Sequence, residues 1–547
     1  MGNMMLIFLG ALNPWGMKHI TFSEFAEAYD SGSDIVQFAQ TAIVDLGDTT
    51  LSPQTVQVAK MWLDACCEHY SFHCNISDAE VSPLPHRVLG FDQEEYGLIR
   101  LHEFDCEQQR PKARYMCLSY CWGGADFIRL TKGNRQELKD RMPLESLPRL
   151  FRDFIHLART FGIFYVWIDS LCIIQDDLDD WAIEAARMAE IYSQSFLTVC
   201  ATGSRSPFEG LEKPRPNEDV LCHQIRRRVI RALPTLHSPS FPLFNRAWCY
   251  QERLLSPRTL HFGPEGVFWE CATGVLSEYG HEQRYTTYGG INRRRFCEAS
   301  HTFSFSDKGH QWRSIVQHYT NFALTKPTDR LAGIMGLSVA MQSSPVNVLG
   351  DYFSGLWENS LPIDLLWERL PQAAPLAHQS SPGSTLAPSW SWAYTNGPVV
   401  YPEAVQLSFG NISVKYCEVL PAWRGDPTKI WMRCQMVSGS VANHAVVEGV
   451  EEGLLRWGPE ESRSESGLYR LPVVVDDFVR LSRVRDPVFL VRVARCLAID
   501  FLLVVRRVGV EEHVYERLGI VQARLELEWI VEESQWEDIE WNEIVII

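Results

Sequence analysis

One carboxylate stands inside an apolar run, where a charge is costly. Residues 165–181 have the sequence YVWIDSLCIIQDDLDDW, and Asp169 has apolar neighbours on its amino-terminal side. Burying an isolated carboxylate is unfavourable unless it is hydrogen-bonded or lies at the carboxyl end of a strand. In open α/β sheets that end is where ligands bind. Asp169 is therefore a candidate binding residue.

Four more carboxylates follow within a few positions. They are Asp176, Asp177, Asp179 and Asp180. They lie between the end of a predicted strand and the start of a predicted helix, where free backbone N–H groups and the positive end of the helix dipole favour carboxylates. Helix capping therefore accounts for most of this acidic patch, and catalysis is the less favoured interpretation.

A second group of candidates follows Arg246 in the segment RAWCYQER. Glu252 is a candidate catalytic carboxylate, and an ion pair with the adjacent Arg253 is the alternative. Cys249 and Cys172 raise the hypothesis of a thiol nucleophile, but no histidine partner is recognisable and buried structural cysteine is favoured. The nearby tryptophans are candidates for stacking on a ligand or, more commonly, for the core.

Cysteine and histidine residues crowd the end of a helix predicted over 53–69. They are Cys66, Cys67, His69, His73 and Cys74. Thiolate and imidazole are the ligands that zinc prefers. A second pair at the usual separation is missing, and ligands this close together cannot easily surround a metal, so a structural role is favoured and no metal site is predicted.

The composition limits the classes of function. The 547 residues are 46% hydrophobic, enough to bury a sizeable core, and the length suggests two or three domains. A net charge of −17 argues against a protein that mainly binds nucleic acid or an anionic membrane. No apolar stretch is long enough to span a membrane. Fifteen scattered cysteines favour reduced thiols and a cytoplasmic location.

The elements that position these candidates alternate between strands and helices. YMCLSYCW, which ends at Gly123, predicts a buried strand, and the apolar stripe over 147–161 predicts an amphipathic helix that Gly162 ends. Residues 163–174 predict a second buried strand, residues 181–192 a helix and SFLTVCAT a third strand. This order predicts an α/β fold with a parallel sheet.

The sequence predicts four regions. Residues 1–109 form a helical or mixed segment, 110–340 the α/β domain, 341–395 a linker with the PSWSW segment, and 396–547 a β-rich carboxyl-terminal region with alternating apolar residues. The motifs fall in the core of the second region, at about 113–253.

Three blocks of this core resemble a known family. YMCLSYCWG at Tyr115–Gly123, YVWIDSLCIIQ at Tyr165–Gln175 and RAWCYQE at Arg246–Glu252 are similar, in order, to the signature blocks of the fungal heterokaryon-incompatibility (HET) domain. The flanking segments WLDACCEH, TDRLAGIMGL and PSWSWA resemble segments that accompany this domain. The resemblance covers roughly residues 55–395.

The resemblance implies a cytoplasmic effector of non-self recognition that causes programmed cell death in a fungus. Protein partners of an incompatibility pathway, and self-association into a homo-oligomer on activation, belong to this expectation. The family has also been likened to TIR domains of innate immunity, which implies a flavodoxin-like parallel sheet. Ser119 and Tyr120 then match the Ser-Tyr pair of the first TIR strand, and Trp248, Cys249 and Glu252 match its WCxxE segment.

The resemblance to TIR domains implies that the chain cleaves NAD as a substrate and that it needs no cofactor. Glu252 would stabilise the oxocarbenium-like ribose as nicotinamide leaves, by analogy with glycoside hydrolysis. Ser119, Tyr120 and Asp169 would help to bind NAD, with Trp122 or Trp248 offering a face to a base. Arg246 would bind the pyrophosphate and Gly123 would let the backbone approach it. The alternative is a non-enzymatic adaptor that recruits partners through protein–protein contacts.

Overall fold

The structure is a computed structural model, and it describes residues 47–69, 81–91, 97–104, 106, 108, 110–215, 222–225, 228–231, 241–264, 266–278, 281–283, 296, 305–342, 348–370, 387–395, 397–402, 412–413, 417–419, 428–447, 450–457, 469–475, 488–496, 499–509, 513–524 and 540–547. The chain divides into two compact units, Met1–Glu298 with Ala332–Ala340, and Ala299–Leu331 with Met341–Ile547. The domain limits inferred from the sequence stay predictions.

The described helices are α1 (Pro53–His69), α2 (Arg135–Asp140), α3 (Arg149–Thr160), α4 (Asp169–Cys172), α5 (Leu178–Ser193), α6 (Ala247–Leu255), α7 (Phe305–Tyr319), α8 (Ala332–Gln342) and α9 (Leu361–Asp364). The described strands of the first unit are β1 (Arg87–Gly90), β2 (Leu98–Glu103), β3 (Met116–Ser119), β4 (Met142–Pro143), β5 (Tyr165–Trp167), β6 (Leu197–Cys200), β7 (Cys222–Ile225), β8 (Arg228–Arg231), β9 (Arg258–Phe262), β10 (Val267–Cys271), β11 (Gly274–Ser277) and β12 (His281–Gln283).

A ten-stranded mixed sheet forms the first unit. Its order is β12-β11-β10-β9-β6-β3-β5-β1-β2-β4. The four strands β9, β6, β3 and β5 run parallel, and the strands on both sides of them pair antiparallel. The predicted α/β class is confirmed. The sheet is mixed, however, rather than wholly parallel.

The parallel centre of the sheet follows the predicted pattern of buried strands. All four residues of β3 are buried, as are those of β6, which is typical of parallel strands at the centre of a sheet. Helix α3 confirms the amphipathic helix predicted over 147–161 and buries its apolar stripe. It ends at Gly162, whose φ of 72° suits glycine, and Ile163 N–H then donates to the carbonyl of Ala158 (2.9 Å).

The strand predicted over 163–174 is wrong in extent. Strand β5 contains only Tyr165–Trp167, and the chain turns into the short helix α4 at Asp169. The residues from Leu171 to Ile174 are buried all the same. Periodicity cannot distinguish a buried strand from a buried helical turn, because both are apolar on every side.

The second unit is rich in antiparallel strands. Its described strands are β13 (Tyr352–Phe353), β14 (Leu356–Trp357), β15 (Glu368–Arg369), β16 (Val399–Val400), β17 (Ile412–Ser413), β18 (Cys417–Val419), β19 (Ile430–Val447), β20 (Val450–Trp457), β21 (Tyr469–Val475), β22 (Val488–Cys496), β23 (Ile499–Arg507), β24 (Val514–Arg524) and β25 (Trp541–Ile546). Nine of them, β17 to β25, form one sheet, which confirms the β-rich carboxyl-terminal region. Trp390 and Trp392 of the PSWSW segment are fully buried in this unit.

Among the residues that the structure describes, no helix is both long and apolar enough to cross a membrane.

Candidate functional site

The three sequence blocks meet at one edge of the parallel sheet. Strands β3 and β5 are neighbours and run parallel, so their carboxyl ends, at Ser119 and Trp167, lie at the same edge. Helix α6 brings the third block there, because the Oγ of Ser119 donates a hydrogen bond to Glu252 Oε2. Residues 133 positions apart in the sequence are thus in direct contact.

Glu252 is a buried carboxyl whose partner is neutral. Its residue is 7% exposed, and burial raises the pKa of Glu252 to about 7. The negative charge of Asp169 raises this pKa further, whereas the Ser119 hydrogen bond and the positive charge of Arg246 lower it. A carboxyl that titrates near neutral pH can be neutral or charged under cellular conditions, which is the property that acid–base and electrostatic catalysis use.

Arg246 places a guanidinium next to this carboxyl. It directly precedes α6, is partly exposed, and its Nη1 donates to the backbone carbonyl of Tyr120. The charge of Arg246 lowers the pKa of both Asp169 and Glu252. A guanidinium has five N–H groups in a fixed plane, so the side chain can bind an anion while it keeps its bond to Tyr120.

Asp169 connects the first block with the second. Its Oδ2 accepts a hydrogen bond from Trp122 Nε1 (2.9 Å), and its Oδ1 accepts from the backbone N–H of Ser170 (2.6 Å). The hydroxyl of Tyr120 donates to Ser170 Oγ (2.8 Å). Burial raises the pKa of Asp169, and the charge of Arg246 together with the Trp122 hydrogen bond opposes this increase.

The glycines after β3 form a tight turn. Gly123 has a φ of 66°, and a Cβ at this position would lie 2.4 Å from the carbonyl oxygen of Arg205. Any larger residue would therefore disrupt the turn. The close approach at Gly123 is to the chain itself. At Gly124, which also has a positive φ, no atom lies within 4 Å of the Cβ position.

Trp248 packs elsewhere on the same helix. Its ring meets the ring of Trp181 on α5 edge to face, with centroids 6.4 Å apart and an interplanar angle of 84°. The contact fixes Trp248 against α5. Ser119, Tyr120, Trp122, Asp169, Arg246 and Glu252 are joined by the hydrogen bonds and charges described above, and Trp248 is attached to this group through α6.

The acidic patch divides into residues with different partners. Asp177 caps α5, since its Oδ1 accepts from the N–H groups of Asp179 (3.1 Å) and Asp180 (3.4 Å), and the capping prediction is confirmed there. Asp180 instead forms an ion pair with Arg87 of β1, which is 3% exposed and also binds Glu103. The sequence analysis missed Arg87, because an arginine in a short strand gives no local signal of its partner.

A second buried network adjoins the site. Arg253 binds Glu270 through Nε (2.6 Å) and Nη2 (3.1 Å), and His261 Nε2 lies 3.1 Å from the same carboxylate. The alternative to a catalytic Glu252, as inferred from the sequence, was an ion pair between Glu252 and Arg253. The structure gives Arg253 a bidentate bond with Glu270 instead, while Glu252 accepts from Ser119. This network of β9, β10 and α6 also escaped the sequence analysis.

The cysteines near the site are buried thiols. Cys249 packs in a cluster with Cys121, Cys200 and Leu243. Burial raises the pKa of the Cys172 thiol to about 12 and raises that of Cys249 well above its usual value. Because the thiolate is the nucleophile, these values favour the structural interpretation of both residues.

The metal hypothesis concerns the end of α1. Cys66 is buried there and accepts a hydrogen bond from Arg258 Nε (3.4 Å), whereas His73 and Cys74 lie outside the described residues. Within the described part of the chain, no three His, Cys, Asp or Glu side chains are placed to hold a metal ion.

The comparison with protein families supports the resemblance of the three blocks. The family model described as heterokaryon incompatibility protein (HET) matches residues 115–252, about a quarter of the chain. The match extends from the first residue of the first block to Glu252. No curated protein and no solved structure matches the chain.

Proposed function

The chain carries a HET domain over residues 115–252, which suggests a role in heterokaryon incompatibility, and from this premise we propose that it is a cytoplasmic effector that kills fungal cells by cleaving NAD. The single observation that supports this proposal best is the buried carboxyl of Glu252. It lies at the carboxyl edge of the parallel strands, where ligands of α/β proteins bind, and it titrates near pH 7.

The reaction needs little from the protein. The bond between the nicotinamide nitrogen and the ribose carbon breaks, and its electron pair leaves with nicotinamide. The ionised carboxylate of Glu252 stabilises the oxocarbenium-like ribose that remains. Water then adds to that carbon and releases a proton, so the products are nicotinamide and ADP-ribose. Ser119 orients the carboxylate through its hydrogen bond.

The surrounding groups suit a dinucleotide. The guanidinium of Arg246 complements a pyrophosphate, and the partly exposed ring of Trp122 complements a base. The raised pKa of Glu252 predicts that the rate increases as pH rises through about 7, because the ionised form stabilises the positive charge. A TIR-like relationship of the fold, and self-association on activation, belong to the same proposal.

The chemistry of the thiols supports the cytoplasmic location in this proposal. Eleven of the cysteines whose side chains the structure describes are free rather than paired in disulfides. Reduced thiols are typical of compartments that glutathione and thioredoxin keep reducing.

The test is a direct assay of nicotinamide release. The purified full chain is incubated with NAD over a range of protein concentrations, and nicotinamide is quantified by chromatography. Glu252→Gln should lower release by on the order of a thousandfold. Glu190→Gln, an exposed carboxyl on α5, is the matched control and should leave it unchanged. Release that survives Glu252→Gln would remove the assignment.

Exposed apolar side chains favour a second candidate, a non-enzymatic adaptor. Leu178 and Ile183 of α5 are 80% and 54% exposed, and Met335 and Val339 of α8 are also exposed. Apolar side chains in contact with solvent are typical of protein–protein interfaces. If Glu252→Gln leaves cell killing intact while Ile183→Lys abolishes it, the adaptor function is supported and NAD cleavage is not the cause of death.

A further inference from the structure

The side chain of Trp122 is partly exposed at the site, and its indole N–H donates a hydrogen bond to Asp169. We propose that Asp169 is a positioning residue that holds the Trp122 indole as a preset face for the planar base of a nucleotide. The inference rests on the proposed function and deepens it, since it assigns Asp169 to the protein's own tryptophan rather than to the ligand.

Both oxygens of Asp169 already accept hydrogen bonds from the protein. Oδ2 accepts from Trp122 Nε1 (2.9 Å) and Oδ1 from Ser170 N–H (2.6 Å). A hydrogen bond to an ionised acceptor is stronger than one between neutral groups. The carboxylate is therefore well suited to fix the indole, and each of its oxygens already has a protein donor before any ligand binds.

Asp169 is itself held in place from the neighbouring strand end. Tyr120 donates its hydroxyl to Ser170 Oγ (2.8 Å), so the residue after Asp169 is anchored to the block that carries Trp122. Strands β3 and β5 pair in parallel at this edge. Trp122 lies three residues beyond β3, and the β3–β5 pairing together with the Tyr120–Ser170 hydrogen bond restrains its distance from Asp169.

A second contact fixes the plane of the indole. The rings of Trp122 and Phe127 meet edge to face, with centroids 5.7 Å apart and an interplanar angle of 79°. Phe127 in turn packs against Phe151 of α3, at 5.9 Å and 81°. Support at two points leaves the ring one orientation, and a preset ring loses little entropy when a base stacks on it.

The class of ligand follows from the charge beside the ring. Arg246 donates one of its five N–H groups to the carbonyl of Tyr120, two residues before Trp122, which places its positive charge beside the ring. An aromatic face next to a guanidinium suits a molecule that joins a planar base to a phosphate, which is a nucleotide.

The experiment separates positioning from direct contact with the ligand. In full-length protein labelled with ¹⁵N-tryptophan, the Trp122 indole resonance is identified by its loss in Trp122→Phe. In Asp169→Leu this resonance should shift upfield, and its N–H should exchange with solvent about tenfold faster. Asp126→Asn is the matched control, because its carboxylate is almost fully exposed and pairs with Arg129. An unchanged Trp122 resonance in Asp169→Leu would overturn the inference.

Binding of NAD, measured calorimetrically in a Glu252→Gln background that prevents turnover, provides the second readout. Asp169→Leu should weaken binding about tenfold. Asp169→Asn, which keeps one acceptor oxygen without the charge, should restore part of this loss. The side chain of phenylalanine has no N–H to donate to Asp169. The Trp122→Phe variant and the Trp122→Phe/Asp169→Leu double variant should therefore bind NAD equally.

The outcomes distinguish the two proposals. If Asp169→Leu weakens binding as much in the Trp122→Phe background as alone, Asp169 contacts the ligand directly and the positioning role is wrong. If Asp169→Asn keeps the Trp122 indole resonance unshifted and yet binds NAD as weakly as Asp169→Leu, the hydrogen bond to Trp122 does not support binding and the positioning role is wrong. If the resonance shifts as expected but NAD does not bind, the proposed function fails, and with it the nucleotide face, while the Asp169–Trp122 bond stands.

Discussion

Two buried glutamates of this domain have pKa values that are shifted in opposite directions. Glu252 on α6 has a pKa raised to about 7, while the pKa of Glu270 on β10 is held well below its usual range. Both residues lose the solvation of water, at 7% and 1% exposure. Burial alone therefore does not decide the charge of a carboxyl.

The difference comes from the partners. Glu270 is bound by the guanidinium of Arg253 through two N–H groups, and His261 adds a third bond. Glu252 accepts from the neutral hydroxyl of Ser119, and the positive charge of Arg246 is shared with Asp169. A paired buried carboxylate stabilises structure, whereas an incompletely compensated one is available for chemistry.

Breaking the Glu270 pair should have the largest effect. Glu270→Gln removes the carboxylate that binds the buried guanidinium of Arg253, and we expect the free energy of unfolding to fall by about 3–5 kcal/mol. Urea denaturation followed by circular dichroism measures this loss. Glu252→Gln at pH 5 is the matched control and should lose much less, because Glu252 is already protonated there. Equal losses in the two variants would erase the distinction between the two carboxyls.

Because the pKa of Glu252 is raised, the stability of the Glu252→Gln variant relative to the natural chain should depend on pH. Between the usual value of 4.5 and about 7, the folded chain binds a proton at Glu252 that the unfolded chain does not. The stability contribution of the protonated carboxyl is therefore lost as pH rises through this range, by up to about 3 kcal/mol.

Glutamine does not titrate, so the stability of Glu252→Gln relative to the natural chain should increase between pH 4.5 and pH 8. Urea denaturation of both proteins across this range measures the change. A constant difference would show that the pKa of Glu252 is not raised.

Removing the hydroxyl that donates to Glu252 should widen the difference in pKa between Glu252 and Glu270. Ser119→Ala deletes a hydrogen bond that lowers the pKa of Glu252, so this pKa should rise further. Above neutral pH the ionised carboxylate loses its donor, and we expect a cost of about 1–2 kcal/mol that shrinks at acid pH. Denaturation at pH 5 and pH 8.5 tests this. Ser193→Ala, at an exposed serine of α5, should show no such pH dependence.

The smallest effect is expected at His261. Burial lowers the pKa of His261, so the ring is neutral at pH 7, and His261→Gln should cost about 1 kcal/mol at pH 8 through lost hydrogen bonds. Below about pH 6.5 the unfolded chain protonates His261 and the folded chain resists it, which destabilises the natural protein there. The cost of the substitution should therefore decrease at pH 5.5. A cost that grows at acid pH would mean that His261 is charged in the folded state.

Much of the local structure was predictable because it depends on neighbours in the sequence. The apolar stripe of α3 follows from spacings of three and four residues, and the cap of α5 at Asp177 follows from the carboxylates just before that helix. The chain from Asp169 onward was not predictable in the same way. A helical turn buried on every side has the same apolar pattern as a buried strand, and so β5 was predicted too long.

The candidate site also has a part that was predictable from the sequence and a part that was not. The family resemblance predicted one site for Ser119, Asp169 and Glu252, and the structure brings all three together. The catalytic and binding roles stay proposals. Arg87 and Glu270 could not have been identified, since each acquires its partner from another element.

The sequence by itself determined the alternation of strands and helices, the α/β class and the three blocks that identify the HET domain, because these depend on residue types at fixed short spacings. Only the tertiary structure decided which carboxyl is paired and which is left to titrate near neutral pH. That choice depends on strand order and on side chains brought together from distant positions, and electrostatic interactions in a buried site change steeply over a few ångströms.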